Sequence, residues 1–347
     1  MSPYILTVII LSMLLGTSLT LISNHWFLAW MGLEINTLAI IPLMTHSNNM
    51  RSTESAIKYF LMQASASMLM LLAVVHNAWT NNQWTIMQLS DQWPSTLLTT
   101  SLAMKLGLAP FHFWVPEATQ GIPLLSGMLL LTWQKIAPMS IMYQVSSSLN
   151  MEMIITLAIS SALLGGWGGL NQTHLRKILA YSSISHMGWM TIIIVINPTM
   201  TLINLFIYII TTLTMFITLN LSSTTKIKSL ASLWHKSAPM TIIIMLTLLS
   251  LGGLPPLTGF LPKWLILQEL IYNNNIFTAT FMALSALLNL FFYMRIIYAS
   301  SLTMFPAINS SKFHWFHKPM KSHIIIPTLT IISSLLLPLS PLFILFN

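Results

Sequence analysis

Long apolar stretches separated by short polar breaks run through the whole chain. They are nearly continuous rather than alternating with a period of two, which favours membrane helices over the strands of a β-barrel. A helix that crosses about 30 Å of hydrocarbon needs about 20 apolar residues. On that measure the pattern predicts an all-α polytopic bundle of eleven spans, at about residues 3–23, 26–45, 56–78, 94–121, 122–145, 151–170, 175–196, 200–222, 239–272, 276–300 and 324–346.

Spans 4 and 9 are interrupted, and their interruptions resemble each other. Pro110-Phe-His-Phe-Trp-Val-Pro116 is followed by Glu117, which is predicted to lie inside the break with His112. Pro256-Leu-Thr-Gly-Phe-Leu-Pro262 is followed by Lys263. Prolines break helices because they lack a backbone donor. Broken helices are tolerated within a membrane only where protein or a water-filled cavity covers them. Matching interruptions in two halves of a chain are typical of a transport site.

The two breaks lie five spans apart, and because five is odd the two copies run in opposite directions through the membrane. We therefore predict one membrane domain, residues 1–347, that contains an inverted repeat. Its units are five helices in residues 1–145 and five in residues 151–300, with an additional C-terminal helix in residues 324–347. The alternative is a coincidence between two proline-rich breaks.

Composition places the chain in a membrane and excludes several kinds of site. It has 347 residues, of which 55% are hydrophobic and 6% are charged, whereas soluble domains carry about 25% charged residues. The absence of cysteine excludes thiolate-held iron–sulfur clusters, disulfides and thiolate zinc sites within this chain. The 14 Lys and Arg outnumber the 6 Asp and Glu, but they are scattered singly, so no nucleic-acid partner is expected.

The basic residues divide sharply between alternate loops. They occupy even-numbered loops, at Arg51, Lys58, Arg176, Lys177, Lys226, Lys228, Lys236, Lys312, Lys318 and Lys321. Odd-numbered loops, such as the one around Asn81 and Asp91, carry none. Because basic loops stay on the inner side of a membrane, the N-terminus is predicted inside and the C-terminus outside.

Six ionisable side chains are predicted at membrane depth or inside a break: Glu34, Lys105, His112, Lys135, His186 and Lys263. A charged group in hydrocarbon costs about 3 kcal/mol or more, so such residues mark ion or proton pathways. Lysines can change protonation when a neighbouring charge moves. The six residues therefore predict a proton relay along the middle of the bundle.

Several of these residues also have a purely structural interpretation. Glu34 and Lys105 could form one static buried ion pair, and His186 could be a hydrogen-bonded packing residue beside Tyr181 and its neighbouring serines. The sequence Gly-Gly-Trp-Gly-Gly at 165–169 is interpreted as close helix packing and not as a nucleotide loop, because no strand precedes it.

Four stretches together resemble the NADH–ubiquinone oxidoreductase chain 2 family, the antiporter-like membrane subunits of respiratory complex I. The stretches are AMKLGLAPFHFWVPE at 103–117, LLTWQKIAP at 130–138, GGLNQTHLRKILAYSSISHMGW at 168–189 and LSLGGLPPLTGFLPKW at 249–264. The resemblance covers essentially the whole chain and is to the shortened, mitochondrially encoded animal form, which lacks three N-terminal helices of the bacterial relatives.

The resemblance implies proton translocation across the mitochondrial inner membrane, driven by electron transfer from NADH to ubiquinone in other subunits. Glu34 and Lys105 would form a charge-coupled pair, Lys135 the central lysine and Lys263 the residue leading to the exit, with His112 and His186 on the hydrated axis. FMN, iron–sulfur clusters and ubiquinone would belong to partner subunits, and no metal or cofactor to this chain. The implied partners are the other membrane subunits, especially the antiporter-like chain 4 and chain 4L, accessory subunits, and lipids such as cardiolipin.

Two other functions compete with this interpretation. A stand-alone cation/proton antiporter would show similar spans, and only purification of an active single chain distinguishes it. A non-pumping structural scaffold would tolerate apolar replacements at Glu34, Lys105 and Lys135. Several internal charges at about 3 kcal/mol each make the scaffold the least favoured of the three.

Overall fold

The described part of the chain is built of helices. The computed structural model describes residues 2–87, 89, 91–235, 237–302 and 325–339. Its helices are α1 Pro3–Ile22, α2 Trp26–Met44, α3 Met50–Asn81, α4 Gln92–Leu106, α5 Trp114–Gly121, α6 Leu124–Leu131, α7 Trp133–Gln144, α8 Met151–Gly169, α9 Leu175–Ile193, α10 Pro198–Ser222, α11 Ile227–Ala231, α12 Ala238–Gly252, α13 Phe260–Tyr272, α14 Ile276–Leu302 and α15 Ile325–Leu335.

Six helices among the described residues are long and apolar enough to cross a membrane: α1, α2, α3, α8, α10 and α14. The helix α9 is also 19 residues long, but it carries Arg176, Lys177, His186 and several serines. Fifteen of its 19 residues are buried, Ser182, Ser183 and Ser185 among them, and its three basic residues are partly buried. Burial explains how a polar helix can lie at the centre of an apolar bundle.

The predicted element boundaries need three corrections. The helix α3 begins at Met50 and not at residue 56, so Arg51 and Lys58, predicted in an even-numbered loop, both lie within the helix. Predicted span 5 is not continuous, because it is divided into α6 and α7 at Thr132. Of predicted span 11, the structure describes only α15 and the turn that follows it; residues 340–346 lie outside the described part.

Two pairs of helices approach closely at glycines. A Cβ atom placed on Gly16 of α1 would lie 2.9 Å from the carbonyl oxygen of Gly32 in α2. In the same way, a Cβ on Gly165 of α8 would lie 2.8 Å from the amide nitrogen of Ser185 in α9. The close packing predicted for residues 165–169 is therefore confirmed, since the backbones meet where glycine leaves no side chain.

The helices α9 and α10 contribute to every large apolar cluster of the bundle. Ile178 and Phe216 belong to a cluster shared with α5, α6, α12 and α14. Met187 and Tyr208 belong to a cluster shared with α2, α3, α4 and α7. Trp189 and other residues of the same two helices pack against α13 and α14. This pair therefore forms the boundary between the first and second halves of the chain, where the candidate site lies.

Candidate functional site

The first break occupies residues 107–113, between α4 and α5. Gly107 ends α4 in the left-handed conformation, with φ 72° and ψ 41°, a region that glycine enters without steric cost. Its amide bonds back to the carbonyls of Ala103 and Met104. The chain then turns through the break, and α5 starts at Trp114 with a proline, Pro116, in its first turn.

The last four carbonyls of α4 have no partners within the helix, yet each one accepts a hydrogen bond. Two of the donors are backbone amides that follow the helix, and three are side chains from elsewhere in the fold. The bonds run from Gly107 N and Leu108 N to Ala103, from Gly107 N and Trp114 Nε1 to Met104, from Gln63 Nε2 to Lys105 and from Lys135 Nζ to Leu106. The C-terminal end of α4 is therefore an ordered polar site, with each terminal carbonyl hydrogen-bonded, and not a frayed helix end.

The second break, residues 253–259, repeats this local geometry. Gly253 ends α12 with φ 79° and ψ 46°, and its amide bonds to the carbonyls of Leu249 and Ser250. The helix α13 then starts at Phe260, with Pro262 in its first turn. The Nζ atom of Lys263 donates to the last carbonyl of α12, that of Gly252, at 2.8 Å.

Both breaks therefore hold a buried lysine against the last carbonyl of the preceding half-helix. That end of a helix carries the negative pole of its dipole, which favours a cation. Lys135 reaches its carbonyl from α7, whereas Lys263 reaches its own from α13, just beyond the break. Lys135 is 1% exposed and Lys263 is 8% exposed, so these contacts replace the water that each ammonium has lost.

Lys105 and Lys135 line one small cavity in the first half. Lys105 Nζ lies 3.8 Å from a carboxylate oxygen of Glu34, and the Glu34 side chain keeps 22% of its exposure. Lys135 Nζ lies 5.6 Å from the centre of the Trp114 ring, within the range of a cation–π contact. The cavity has a volume of about 10 Å³, which is close to the space of one water. Its polar lining includes Asn36, Thr37, Tyr59, Gln63 and Gln134.

A second cavity of about 10 Å³ lies in the other half and contains His186 and Lys263. Asn204, Tyr208, Thr211 and Ser250 add polar groups to its walls. The ring of His186 lies 5.6 Å from the ring of Tyr208, centre to centre. Four of the six predicted residues are thus divided between two polar chambers, one beside each break, and Glu34 faces Lys105 from α2.

Two predicted features lie elsewhere. His112 is in the first break and is 6% exposed, but its ring lies 4.3 Å from that of Phe113, centre to centre, and lines neither cavity. The sequence predicts Glu117 within the break, whereas it lies in the first turn of α5 and is half exposed. It forms an ion pair with Lys58 at 2.8 Å, and Lys58 also pairs with Glu54 at 2.6 Å. These charges form a surface cluster apart from the buried chambers.

Sequence reasoning missed the polar residues that contain no formal charge. Tyr208 donates its hydroxyl to the carbonyl of Leu131, at 2.9 Å, and Gln134 donates to the carbonyl and the side chain of Asn36, at 3.0 and 3.1 Å. Tyrosine and glutamine are also ordinary residues of helix ends. Gln134 and Asn36 had one signal, their place on spans that carry Lys135 and Glu34, whereas Tyr208 lies on a span without such a residue and had none.

The described residues include no group of three or more His, Asp or Glu side chains that could hold a metal ion. His314 and His317, the histidines of the last basic loop, lie outside the described part of the chain. No cofactor site is assigned.

Comparison with known proteins gives consistent matches over the whole chain. Residues 23–289 match the family model described as NADH:quinone oxidoreductase/Mrp antiporter, and residues 290–344 match NADH dehydrogenase subunit 2 C-terminus. The NADH-ubiquinone oxidoreductase chain 2 of Osphranter robustus is 71% identical, over 99% of this chain and 98% of the relative. That of Bos taurus is 56% identical, over 99% of both chains.

Solved structures share the fold at much lower identity. A chain of respiratory complex I from Thermus thermophilus has a TM-score of 0.83 at 24% identity, with 97% of this chain and 80% of that chain covered. A chain of the Mrp complex from Dietzia sp. has a TM-score of 0.83 at 16% identity, over 96% of this chain and 75% of that chain. Together with the family-model match over residues 23–289, this shared fold defines the chain as an antiporter-like membrane subunit.

Family matches and high identity give a narrower assignment than the fold. The chain belongs to the NADH-ubiquinone oxidoreductase chain 2 family of respiratory complex I membrane subunits. The resemblance drawn from the four sequence stretches is thereby confirmed.

Proposed function

We propose that this chain carries protons through its two polar chambers, along Glu34, Lys105, Lys135, His186 and Lys263. As a member of its family, the chain is a core membrane subunit of the proton-pumping NADH:ubiquinone oxidoreductase. The observation that carries the proposal is the burial of three lysines, Lys105, Lys135 and Lys263, beside two interrupted helices. Such an arrangement costs stability and is typical of a transport path.

The pair of Glu34 and Lys105 is suited to begin the proposed proton transfer. At 3.8 Å the two groups are close enough to attract, yet neither the ammonium nor the facing carboxylate oxygen has a hydrogen-bond partner within the described chain. Two unit charges 4 Å apart interact by about 4 kcal/mol at an effective dielectric constant of 20. A movement of Glu34 by a few ångströms would therefore change the proton affinity of Lys105, and that change would pass to Lys135 in the same chamber.

The second chamber would receive the charge and release it. His186 and Lys263 line one cavity, and repulsion between two cations there favours the release of a proton from one of them. Lys263 lies in the first turn of α13 beyond the second break, so it is the last of the buried lysines along the proposed route. His112, which lies outside both chambers, is proposed as a side branch of the hydrated axis at the first break.

The inverted repeat remains a proposal, and matching positions support it. Three features of the first two helices recur 149 residues later: the glycine contacts of Gly16 and Gly165, the partner residues Asn36 and Ser185, and the bridges formed by His25 and His174. In the breaks the interval is 146 residues, from Gly107 to Gly253. Both half-helices before the breaks are 15 residues long. A constant sequence interval between corresponding helices is expected if the second half is a duplicate of the first.

The repeat also relates the two chambers. Thr37 and His186, 149 residues apart, line the first and second cavity respectively. Gln63 on α3 lines the first cavity and Asn204 on α10 lines the second, and they are 141 residues apart. The same interval separates Asn82 and Ser223, the residues that end these two helices. We propose that each half supplies one half-channel, with eleven spans in the whole chain.

The setting of this function is proposed from family membership. We place the chain in the mitochondrial inner membrane, with the N-terminus in the matrix and the C-terminus in the intermembrane space, because basic residues fill the even-numbered loops. Its neighbours would include chain 4, chain 4L, accessory subunits and lipids such as cardiolipin. FMN, iron–sulfur clusters and ubiquinone would be held by partner subunits.

The test is a count of protons moved by the assembled enzyme. We expect Lys105→Ala and Lys135→Ala to assemble and to lower either the protons moved per NADH or the coupled turnover by several-fold. Lys58→Ala is the matched control, because Lys58 is a half-exposed lysine with carboxylate partners. If both buried-lysine variants assemble and keep the parent's proton number and turnover, the chain is a scaffold and the proposal fails.

A further inference from the structure

The join between α6 and α7 releases one backbone carbonyl at the boundary of the two halves. In a continuous helix the amide of Lys135 would bond to the carbonyl four residues earlier, that of Leu131. Here it bonds to the carbonyl of Thr132, at 3.2 Å. The Thr132 hydroxyl in turn donates to Met128, at 2.7 Å, a contact that bends helices. The Leu131 carbonyl is therefore left without its helical donor.

The hydroxyl of Tyr208 takes the place of that donor. Tyr208 lies on α10 and is 2% exposed, and its oxygen is 2.9 Å from the Leu131 carbonyl oxygen. The neighbouring residue of α6, Leu130, lines the chamber of Lys105 and Lys135. One polar end of Tyr208 therefore contacts the backbone at the edge of the first chamber.

The same side chain belongs to the second chamber. Tyr208 lines the cavity that contains His186 and Lys263, and its ring lies beside the ring of His186. Among the residues that line the two cavities, no residue is common to both. Tyr208 joins them, since it lines one and bonds to the backbone beside the other.

We infer that the Tyr208 hydroxyl is a relay between the two chambers and that its bond to the Leu131 carbonyl holds the relay closed at rest. This inference rests on the proposed proton path and adds a residue to it. A proton from Lys135 or a water beside it would bind the phenol oxygen, while the original phenol proton leaves to His186 or a water on the far side. One O–H bond forms as another breaks, and the tyrosine is neutral before and after the step.

The closed state follows from the direction of the hydrogen bond. While the hydroxyl donates to Leu131, its hydrogen is committed to a carbonyl that cannot pass a proton onward. Transfer requires the hydroxyl to rotate away, and the carbonyl would then need another donor. The nearest candidate by helical register is the Lys135 amide, four residues on. Opening of the relay is therefore linked to a backbone change at the central lysine itself.

The test is Tyr208→Phe in the assembled enzyme, reconstituted in sealed vesicles. Phenylalanine keeps the ring beside His186 and removes only the hydroxyl. We expect normal assembly, a thermal transition within a few degrees of the parent's, and NADH-driven proton flux lowered several-fold. Tyr293→Phe is the matched control, because Tyr293 is 1% exposed on α14 and lines neither cavity; it should keep the parent's flux.

Two further variants keep the outcome decisive. Tyr208→Leu also removes the hydroxyl and leaves an apolar side chain on α10, so it should lower proton flux as well and replaces Tyr208→Phe if that variant fails to assemble. If an assembled Tyr208→Phe enzyme keeps the parent's proton flux, or if Tyr208→Leu does so where it is the variant that assembles, the inference is overturned. If Tyr208 proves dispensable in this way while Lys135→Ala lowers the flux under the same conditions, the relay role of Tyr208 is rejected and the proposed proton path stands. If Lys135→Ala also keeps the parent's flux, the proposed proton path fails with it.

Discussion

The ammonium of Lys263 donates to the Gly252 carbonyl, at 2.8 Å, and this carbonyl is the last of its half-helix. Lys135 contacts the carbonyl of Leu106, which is the last of the other half-helix. Leu106 and Gly252 are 146 residues apart, the same interval that separates the two break glycines, Gly107 and Gly253. The negative pole of each interrupted helix therefore holds one buried lysine. Each break serves to stabilise a charge as well as to interrupt a span.

Gly253→Ala tests whether the break positions its lysine. A Cβ at Gly253 would lie 2.8 Å from Nζ and 2.9 Å from Cδ of Lys263, and the residue has a positive φ of 79°. Alanine there costs about 1–2 kcal/mol in backbone strain and displaces the lysine. We expect an assembled enzyme with lower proton flux. Gly127→Ala is the control, because its nearest contact would be an ordinary 3.6 Å; equal flux in both variants would show that Lys263 needs no fixed position.

Glu34→Gln tests the charge pair at the start of the path. Glutamine keeps the shape of the side chain and removes the charge that faces Lys105 at 3.8 Å. We expect proton flux to fall several-fold. The amount of assembled enzyme and its thermal transition, both measured on the isolated enzyme, should equal those of the parent. Glu152→Gln, at an exposed position of α8, should leave flux unchanged. Parent flux in Glu34→Gln would mean that the pair is static.

Arg295→Gln is expected to affect stability and not transport. The guanidinium of Arg295 on α14 donates to the carbonyls of Leu170, just after α8, and of Gln172, the latter at 2.7 Å. Hydrogen bonds to a charged group contribute about 1.5–3 kcal/mol each. We expect the variant enzyme to denature at a lower temperature and to accumulate less, with protons per NADH unchanged. A changed proton number at normal stability would contradict a purely structural role.

Gly165→Ala should separate α8 from α9 and reduce assembly. The added methyl group would meet two backbone atoms of α9, the Ser185 amide nitrogen at 2.8 Å and the Tyr181 carbonyl oxygen at 2.9 Å. Backbone cannot move aside as a flexible side chain can, and overpacking of this kind costs about 1–3 kcal/mol. The measurement is the amount of assembled enzyme compared with Gly127→Ala. Equal amounts would show that the helix pair is looser than the structure indicates.

Much of the fold and of the site could be predicted from the sequence, because charge and proline in a membrane are costly and therefore visible. The two breaks, the helical class and the enclosure of Lys105, Lys135 and Lys263 follow from that cost alone. The join at Thr132 could not be predicted, since a threonine within an apolar run is usually compatible with a continuous helix. The Leu131 carbonyl, which has no helical donor at this join, accepts a hydrogen bond from Tyr208, which lies 77 residues away in the sequence.

The hydrogen-bond partners of the buried lysines could not be predicted from the sequence either. Backbone carbonyls leave no trace in the sequence, so the contacts of Lys135 and Lys263 with the ends of α4 and α12 depend on tertiary structure. The position of Glu117 after Pro116 predicts it in the first break, but the break ends at Phe113 and Glu117 lies at the surface on α5. The local sequence marks where a helix stops more clearly than where the next one begins.

The most direct test of the proton path is the position of ordered waters in the assembled enzyme, determined at a resolution that shows them. The account predicts waters in both chambers, within hydrogen-bond distance of one another or of Lys105, Lys135, Tyr208, His186 and Lys263, so that the polar chain is continuous. A dry gap of several water diameters between Lys135 and both His186 and Lys263, present in every state of turnover, would contradict it.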